Sequence, residues 1–212
     1  YGYGYRFWRR RRWFSMYGLG GQMALCLPEK KLCLCTTADL IMDSTAVQPI
    51  YDAFFRHLED IDRLPASQEA AGRLQAQLAD LRYEPLRGRE TAQQRVSVAL
   101  TQGALPFRTV TIERERVTFD TADGEFALPY GQGSWRKGTF LNTGEACMTS
   151  GGWISPERFR LHCELNGLSS CGMKLFVVRT GDRATVRLVS SLWEVVPGWS
   201  GQDWGTVLAS DV

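Results

Sequence analysis

A serine followed three residues later by a lysine can carry acyl transfer when a helical turn puts both side chains on one face, the amine then taking the hydroxyl proton. Ser134-Trp135-Arg136-Lys137 has that spacing, but it lies between Gly-Gln-Gly and Gly-Thr-Phe in a strand-rich region and reads as a chance match. His57 falls off the apolar stripe of a predicted helix and reads as a surface histidine. His162 and Cys163 are adjacent on a predicted strand, so their side chains leave opposite faces and form no dyad. The six cysteines, Cys26, Cys33, Cys35, Cys147, Cys163 and Cys171, contain no C-x-x-C pair and could form three disulfides, which a chain of this length does not need. Cys33 and Cys35 share one strand face and read as small buried apolar residues, a use that fits a reducing cytoplasm. No metal or cofactor is expected.

Two stretches could bind rather than react. In Gly18-Leu19-Gly20-Gly21-Gln22, three glycines in four residues allow positive φ or the close approach of a ligand, so the stretch reads as a bend into the next strand or as the wall of a site. Arg9 to Arg12, between Trp8 and Trp13, could hold single-stranded nucleic acid by charge and stacking. A charged hairpin tip accounts for the same residues, however, and the net charge of +2 is close to neutral, so no nucleic-acid partner is expected. Neither is a membrane span, since no apolar run approaches the roughly 18 to 20 residues one needs. With 44% hydrophobic and 23% charged residues, the chain can bury a real core. It opens on YGYGYRFWRR, with no initiator methionine and no signal peptide, and reads as a fragment.

The elements that would position these residues follow from periodicity. Residues 3–9 read as a strand that reverses at Arg9 to Arg12 into Trp13 to Tyr17, and residues 22–27 and 32–37 as a strand pair around Pro28-Glu29-Lys30-Lys31, the second buried on both faces. Asp43 or Ser44 can cap a helix carrying Val47, Ile50, Tyr51, Phe54, Phe55, Leu58 and Ile61 on one face. After Leu64-Pro65, Ser67 caps a second helix with a narrower stripe of Ala71, Leu74, Leu78 and Leu81, and residues 83–94 form a polar linker. From Arg95 the period becomes two: strands are predicted over 95–100, 107–113, 116–121, 125–130, 147–153, 158–165, 173–179 and 185–193, an antiparallel barrel or sandwich. Five tryptophans there, Trp135, Trp153, Trp193, Trp199 and Trp204, either line a cavity or plug the core.

The first sixty residues resemble the C-terminal end of the serine hydrolase family that includes class C β-lactamases and penicillin-binding-protein-like esterases. YGYGYRFW is similar to that family's Y-G-Y-x-x-W strand, FSMYGLGGQ to its small-x-G-x-G-G-Q segment, and CLPEKKLCLCTTAD to its I-P-E-K strand pair. The resemblance implies an α+β fold class. Residues 1–63 would be the three-strand end of a β-lactamase-like sheet with its packed C-terminal helix, 64–94 a helical linker, 95–199 an appended antiparallel β domain and 200–212 a tail. It also places Met16, Tyr17 and Gly18 at the family's K-T-G position, with the Leu19 backbone N–H as an oxyanion donor. Met16 departs from the family lysine, which disfavours recognition of a substrate carboxylate. The family's S-x-x-K and Y-x-N motifs would lie upstream of these residues.

The function implied is the C-terminal part of a hydrolase that cleaves a small-molecule ester or amide, a β-lactam or peptide included, through an acyl-serine, the fragment being inactive by itself. The alternative is a non-catalytic module that binds a ligand or partner and carries a relic hydrolase segment. In either case the unpaired edge of the N-terminal sheet invites self-association.

Overall fold

Short-period alternation of apolar and polar residues draws more than half of the described residues into strands. The structure, a computed structural model, describes residues 2–38, 40, 47–58, 66–89, 95–140, 143–165, 172–191 and 198–211. Among the described residues it is mostly β, with 53% in strands and 17% in helices, in two antiparallel sheets and two α-helices. This overturns the α+β expectation, because too little of the chain is helical for a helix-rich hydrolase fold. The chain divides into two compact units, Tyr1–Tyr83 and Glu84–Val212. None of the helices described is long and apolar enough to cross a membrane.

The first unit is a five-stranded meander rather than a three-stranded end: β1 (Gly2–Gly4), β2 (Phe7–Arg9), β3 (Phe14–Tyr17), β4 (Met23–Leu27) and β5 (Leu32–Thr36), each hydrogen-bonded to the next. The single strand expected over residues 3–9 is a hairpin, because Tyr5 and Arg6 both take positive φ, 52° and 68°, as a tight two-residue turn requires. Helix α1 (Val47–His57) sets Tyr51 and Phe55 6.1 and 5.9 Å from the Trp13 ring. Ser15, Met23 and Leu25 are buried, and strand alternation puts them on one face. Phe14, Met16, Ala24, Cys26, Cys33 and Cys35 share the other face. β5 was expected to be buried on both sides, but it is an edge strand with Leu32, Cys33 and Cys35 exposed.

Helix α2 (Gln68–Ala79) begins where expected, with the Ser67 hydroxyl accepting the Ala70 N–H at 3.1 Å. Its stripe is not buried: Leu74, Leu78 and Leu81 are exposed. The proposed caps Asp43 and Ser44, together with Ile61, Leu64 and Pro65, lie outside the described residues.

The second unit is a nearly closed barrel. Its strands are β6 (Arg95–Leu100), β7 (Phe107–Glu113), β8 (Arg116–Thr121), β9 (Gly124–Pro129), β10 (Arg136–Thr139), β11 (Ala146–Ser155), β12 (Arg158–Leu165), β13 (Gly172–Thr180), β14 (Arg183–Ser190) and β15 (Gly201–Asp211). Their order in the sheet is β10-β11-β12-β13-β14-β15-β6-β7-β8-β9. The edge strands β9 and β10 meet without a ladder, and Pro129 at the end of β9 has no N–H to offer one.

Alternate residues of every long strand point inward and fill the barrel, among them Val98, Ile112, Phe119, Leu161, Leu175 and Val186. Trp199 sits among Phe107, Phe119 and Phe140, at ring distances of 5.6, 5.2 and 6.3 Å, and Trp153 packs on Phe159. These two tryptophans plug the core; Trp193 lies outside the described residues.

Residues 200–212 were expected as a tail, yet β15 is the strand that joins β14 to β6. Two residues explain both its role and its weak sequence pattern. Gly205 has no room for a side chain, since a Cβ there would lie 2.4 Å from the Ala99 carbonyl oxygen. Asp203 is fully buried and its carboxylate accepts three backbone N–H groups, those of Gln102 at 3.1 Å, Ala104 at 3.0 Å and Trp204 at 2.8 Å. Asp203→Ala is therefore expected to lower unfolding free energy in urea by about 2–3 kcal/mol or more. A residue in an exposed tail would move it by only about 0.5 kcal/mol.

Candidate functional site

The glycine turn after β3 is closely tied by hydrogen bonds. The Gly18 N–H donates to the Gln22 carbonyl at 2.7 Å, and Leu19–Gly21 form one 3-10 turn with Gly20 and Gly21 at φ 76° and 85°. That backbone needs glycine, and a Cβ on Gly21 would also meet Leu40 Cδ1 at 2.7 Å. The segment after β5 clamps the turn. The Gln22 side-chain amide donates to the Ala38 carbonyl and its oxygen accepts the Ala38 N–H. Thr36 Oγ1 donates to the Gly21 carbonyl at 2.9 Å, and the Leu40 N–H to the Gly20 carbonyl at 3.0 Å. The stretch is thus a hydrogen-bonded turn leading into β4.

Of the four residues placed here by the sequence, the structure brings together only some. Met16 and Tyr17, each 44% exposed, are successive residues of β3 and so leave opposite faces of the sheet. Tyr17 points to the side of α1, where burial first and the Tyr17 phenol second push the Tyr51 phenol up. Met16 lies on the face with Phe14 and Cys26. Gly18 is engaged through its N–H, whereas the Leu19 N–H heads the 3-10 turn, where helical geometry supplies no acceptor, and its side chain is 78% exposed. Ser15, the serine adjacent to this stretch, is buried. The arrangement can offer one backbone donor and one phenol, but no nucleophile.

Arg9 to Arg12, with Tyr3, Phe7 and Trp13, line a groove of about 590 Å³. Arg12 is paired with Glu29 at 3.2 Å and Arg10 lies over the Trp13 ring at 5.8 Å. Arg10 is thereby engaged within the hairpin, and Arg12 ties it to the turn between β4 and β5.

In the second unit, Ser134 lies in a loop and Lys137 on β10, so the S-x-x-K spacing does not sit on a helical turn. A different constellation is visible only in three dimensions. Register pairs Ser150 on β11 with His162 on β12, and His162 Nε2 meets Glu164 Oε1 at 2.6 Å, an order of groups that resembles a nucleophile, base and orienting acid. Its serine is nevertheless fully buried and already used: Ser150 Oγ accepts the Leu86 N–H at 2.9 Å and donates to the Gly131 carbonyl at 3.2 Å. Residues 84–89, expected as a free linker, run across β11 here. The Gly133 N–H donates to the Leu86 carbonyl, the Arg89 N–H donates to the Trp153 carbonyl, and Gly88 lies against Gly152, where a Cβ would be 3.0 Å from Gly152 Cα. Trp135 packs edge-on to His162 at 5.7 Å. Only the i,i+2 spacing of His162 and Glu164 was visible in the sequence; Ser150 required the register.

Cys163 faces the core, opposite to His162, with Cys147 beside it. Their hydrogen bond brings the Cys147 thiol down to about 7, while the same bond and then burial hold Cys163 well above its ordinary value. Both are buried in the barrel, where no substrate reaches them. Among the described residues, no group of histidine, cysteine or carboxylate side chains has the arrangement of a metal site.

A fluorophosphonate probe, which labels activated serines, is expected to leave Ser150 unmodified in the 212-residue chain. Ser150→Ala should instead lower stability by about 1–3 kcal/mol by stranding the Leu86 N–H, which thermal and urea unfolding will read. The chain matches no known protein family, no curated protein and no solved structure.

Proposed function

We propose that the first unit contributes one wall of an acyl-transfer site in a serine hydrolase that cleaves a small ester or amide, the serine and its base coming from residues outside this chain. The observation that carries this reading is the clamped glycine turn, which fixes the Leu19 N–H at the end of β3 without using it inside the turn. An oxyanion donor has to be held in place before charge develops, and a turn fastened at Gly18, Gly20, Gly21 and Gln22 meets that need. Met16 adds no charge, which favours a neutral ester or amide over a substrate anchored by its carboxylate. The barrel has no part in the chemistry, because its serine, histidine and cysteines of interest are buried or committed.

The test is the longer coding sequence. It should contain S-x-x-K followed by Y-x-N in frame upstream, and its product should hydrolyse p-nitrophenyl acetate with an acyl-serine intermediate. Leu19→Pro, which removes the N–H, should lower kcat by about 10²–10³-fold. The isolated chain should show no turnover. Upstream sequence lacking both motifs, or turnover by the isolated chain, refutes the assignment.

A second reading, a ligand-binding module, is favoured by one feature of the barrel. Trp204 is 48% exposed in a groove of about 620 Å³ with Thr101, Gln102, Arg183, Thr185 and Thr206. A flat apolar ring among hydroxyl, amide and guanidinium donors suits a polyhydroxylated ring such as a sugar. Titration with short oligosaccharides should then quench tryptophan fluorescence in the wild type and not in Trp204→Ala, and an unchanged spectrum in both disposes of this reading.

A further inference from the structure

On the open face of the first sheet, three sulfur atoms lie in a row. Cys26 on β4 and Cys33 on β5 are direct cross-strand partners, with their Sγ atoms 3.2 Å apart, and Cys35 Sγ lies 3.8 Å from Cys33 Sγ. Cys33 and Cys35 are exposed and Cys26 is half-buried, so reagents in solution reach them. This reverses the expectation of small buried apolar residues. From this juxtaposition we infer that Cys26 and Cys33 form a reversible cross-strand disulfide, a redox site in which Cys35 stays a free thiol.

Geometry selects the pair. Residues directly opposite in an antiparallel ladder have Cα atoms about 4.5–5.5 Å apart, within the roughly 4.4–6.8 Å that a disulfide spans. Cys33 and Cys35 are two residues apart on one strand, about 6.6 Å from Cα to Cα at the usual rise, which is the upper edge of that span. The sulfurs of the cross-strand pair already face each other, so closure requires side-chain rotation rather than strand movement.

The oxidant is a small disulfide such as oxidised glutathione. The Cys33 thiolate, the more exposed of the pair, attacks one sulfur of the disulfide and expels a glutathione thiolate, leaving a mixed disulfide on Cys33. The Cys26 thiolate then attacks the Cys33 sulfur and expels the second glutathione. In sum, two thiols lose two protons and two electrons, and one glutathione disulfide becomes two glutathione thiols. The hydrogen bond with Cys26 pushes the Cys33 thiol up, and that with Cys33 pushes Cys35 up, so the reaction should accelerate as pH rises and the thiolates form. An exposed bridge of this kind is readily reduced again, as befits a switch rather than a staple.

The 212-residue chain, incubated with oxidised glutathione, alkylated and cut with trypsin without reduction, reads this out directly. The bond joins the peptides 13–30 and 32–56, because cleavage after Lys30 and Lys31 separates the two cysteines. The linked pair should appear in the wild type and in Cys35→Ser and vanish on dithiothreitol treatment. It should be absent from Cys26→Ser, in which Cys33 accumulates as a glutathione adduct. Glutathione adducts on all three cysteines without a link would overturn the inference. So would a disulfide between two chains, or a link that survives in Cys33→Ser.

Discussion

The ladder between β15 and β6 is the constraint on which the second unit depends. It pairs Asp211 with Arg95 and Gly205 with Leu100, joining the last described residues of the chain to the first strand of the barrel. Without it the sheet falls into two pieces, β6 to β9 and β10 to β15, and the inward apolar face of each is left uncovered. Asp203 fastens the joint from within. Its carboxylate holds the loop that follows β6 by the Gln102 and Ala104 N–H groups, a buried charge compensated by backbone dipoles instead of a counter-ion. This contact spans about a hundred residues, so closing it carries the loop entropy of a non-local pairing, and without it β6 and β15 are open edges.

The first unit is organised on the opposite principle, by neighbours in sequence. Each of its five strands pairs with the next, and its tightest contacts hold a single turn between β3 and the segment after β5. One face is covered through Trp13, Tyr51 and Phe55; the other presents Met16, Cys33 and Cys35 to solvent. An edge strand with an exposed face is a surface on which something can react or bind, and it is also the part of the molecule least able to protect a thiol from oxidation.

Period-two alternation made β6, β7, β8 and β12 legible to within a residue of their ends, because each buries one face and points polar side chains outward. The same rule failed at β15, where Gly201, Asp203 and Gly205 occupy inward positions that should be apolar. Close approach of Ala99 requires the glycine, and three N–H groups require the aspartate, neither of which one strand's own sequence can announce. The hairpin at Tyr5 and Arg6 was hidden for a related reason: its positive φ values fall on residues that rarely adopt them, in place of the expected Asn or Gly. At the candidate site, the glycines of the turn announced themselves by type. The separation of Met16 and Tyr17 onto opposite faces needed only the alternation rule once β3 was known.

Ser150, His162 and Glu164 show why proximity of catalytic residue types is insufficient for a site. A nucleophile must be reachable and must have its lone pair unspent, whereas Ser150 Oγ is buried, receives the Leu86 N–H and gives its own proton to Gly131. That hydroxyl fastens residues 84–89 to the barrel wall, and Gly152, two residues on, lets Gly88 come close enough to be fastened. Exposure separates the two units chemically as well. Among the described residues of the barrel, Ser150, His162, Cys147 and Cys163 are buried, and Ser150 and His162 are held by polar partners. In the first sheet, the Tyr17 phenol and the thiols of Cys33 and Cys35 reach solvent, together with the Leu19 turn, and chemistry performed with this chain would begin there.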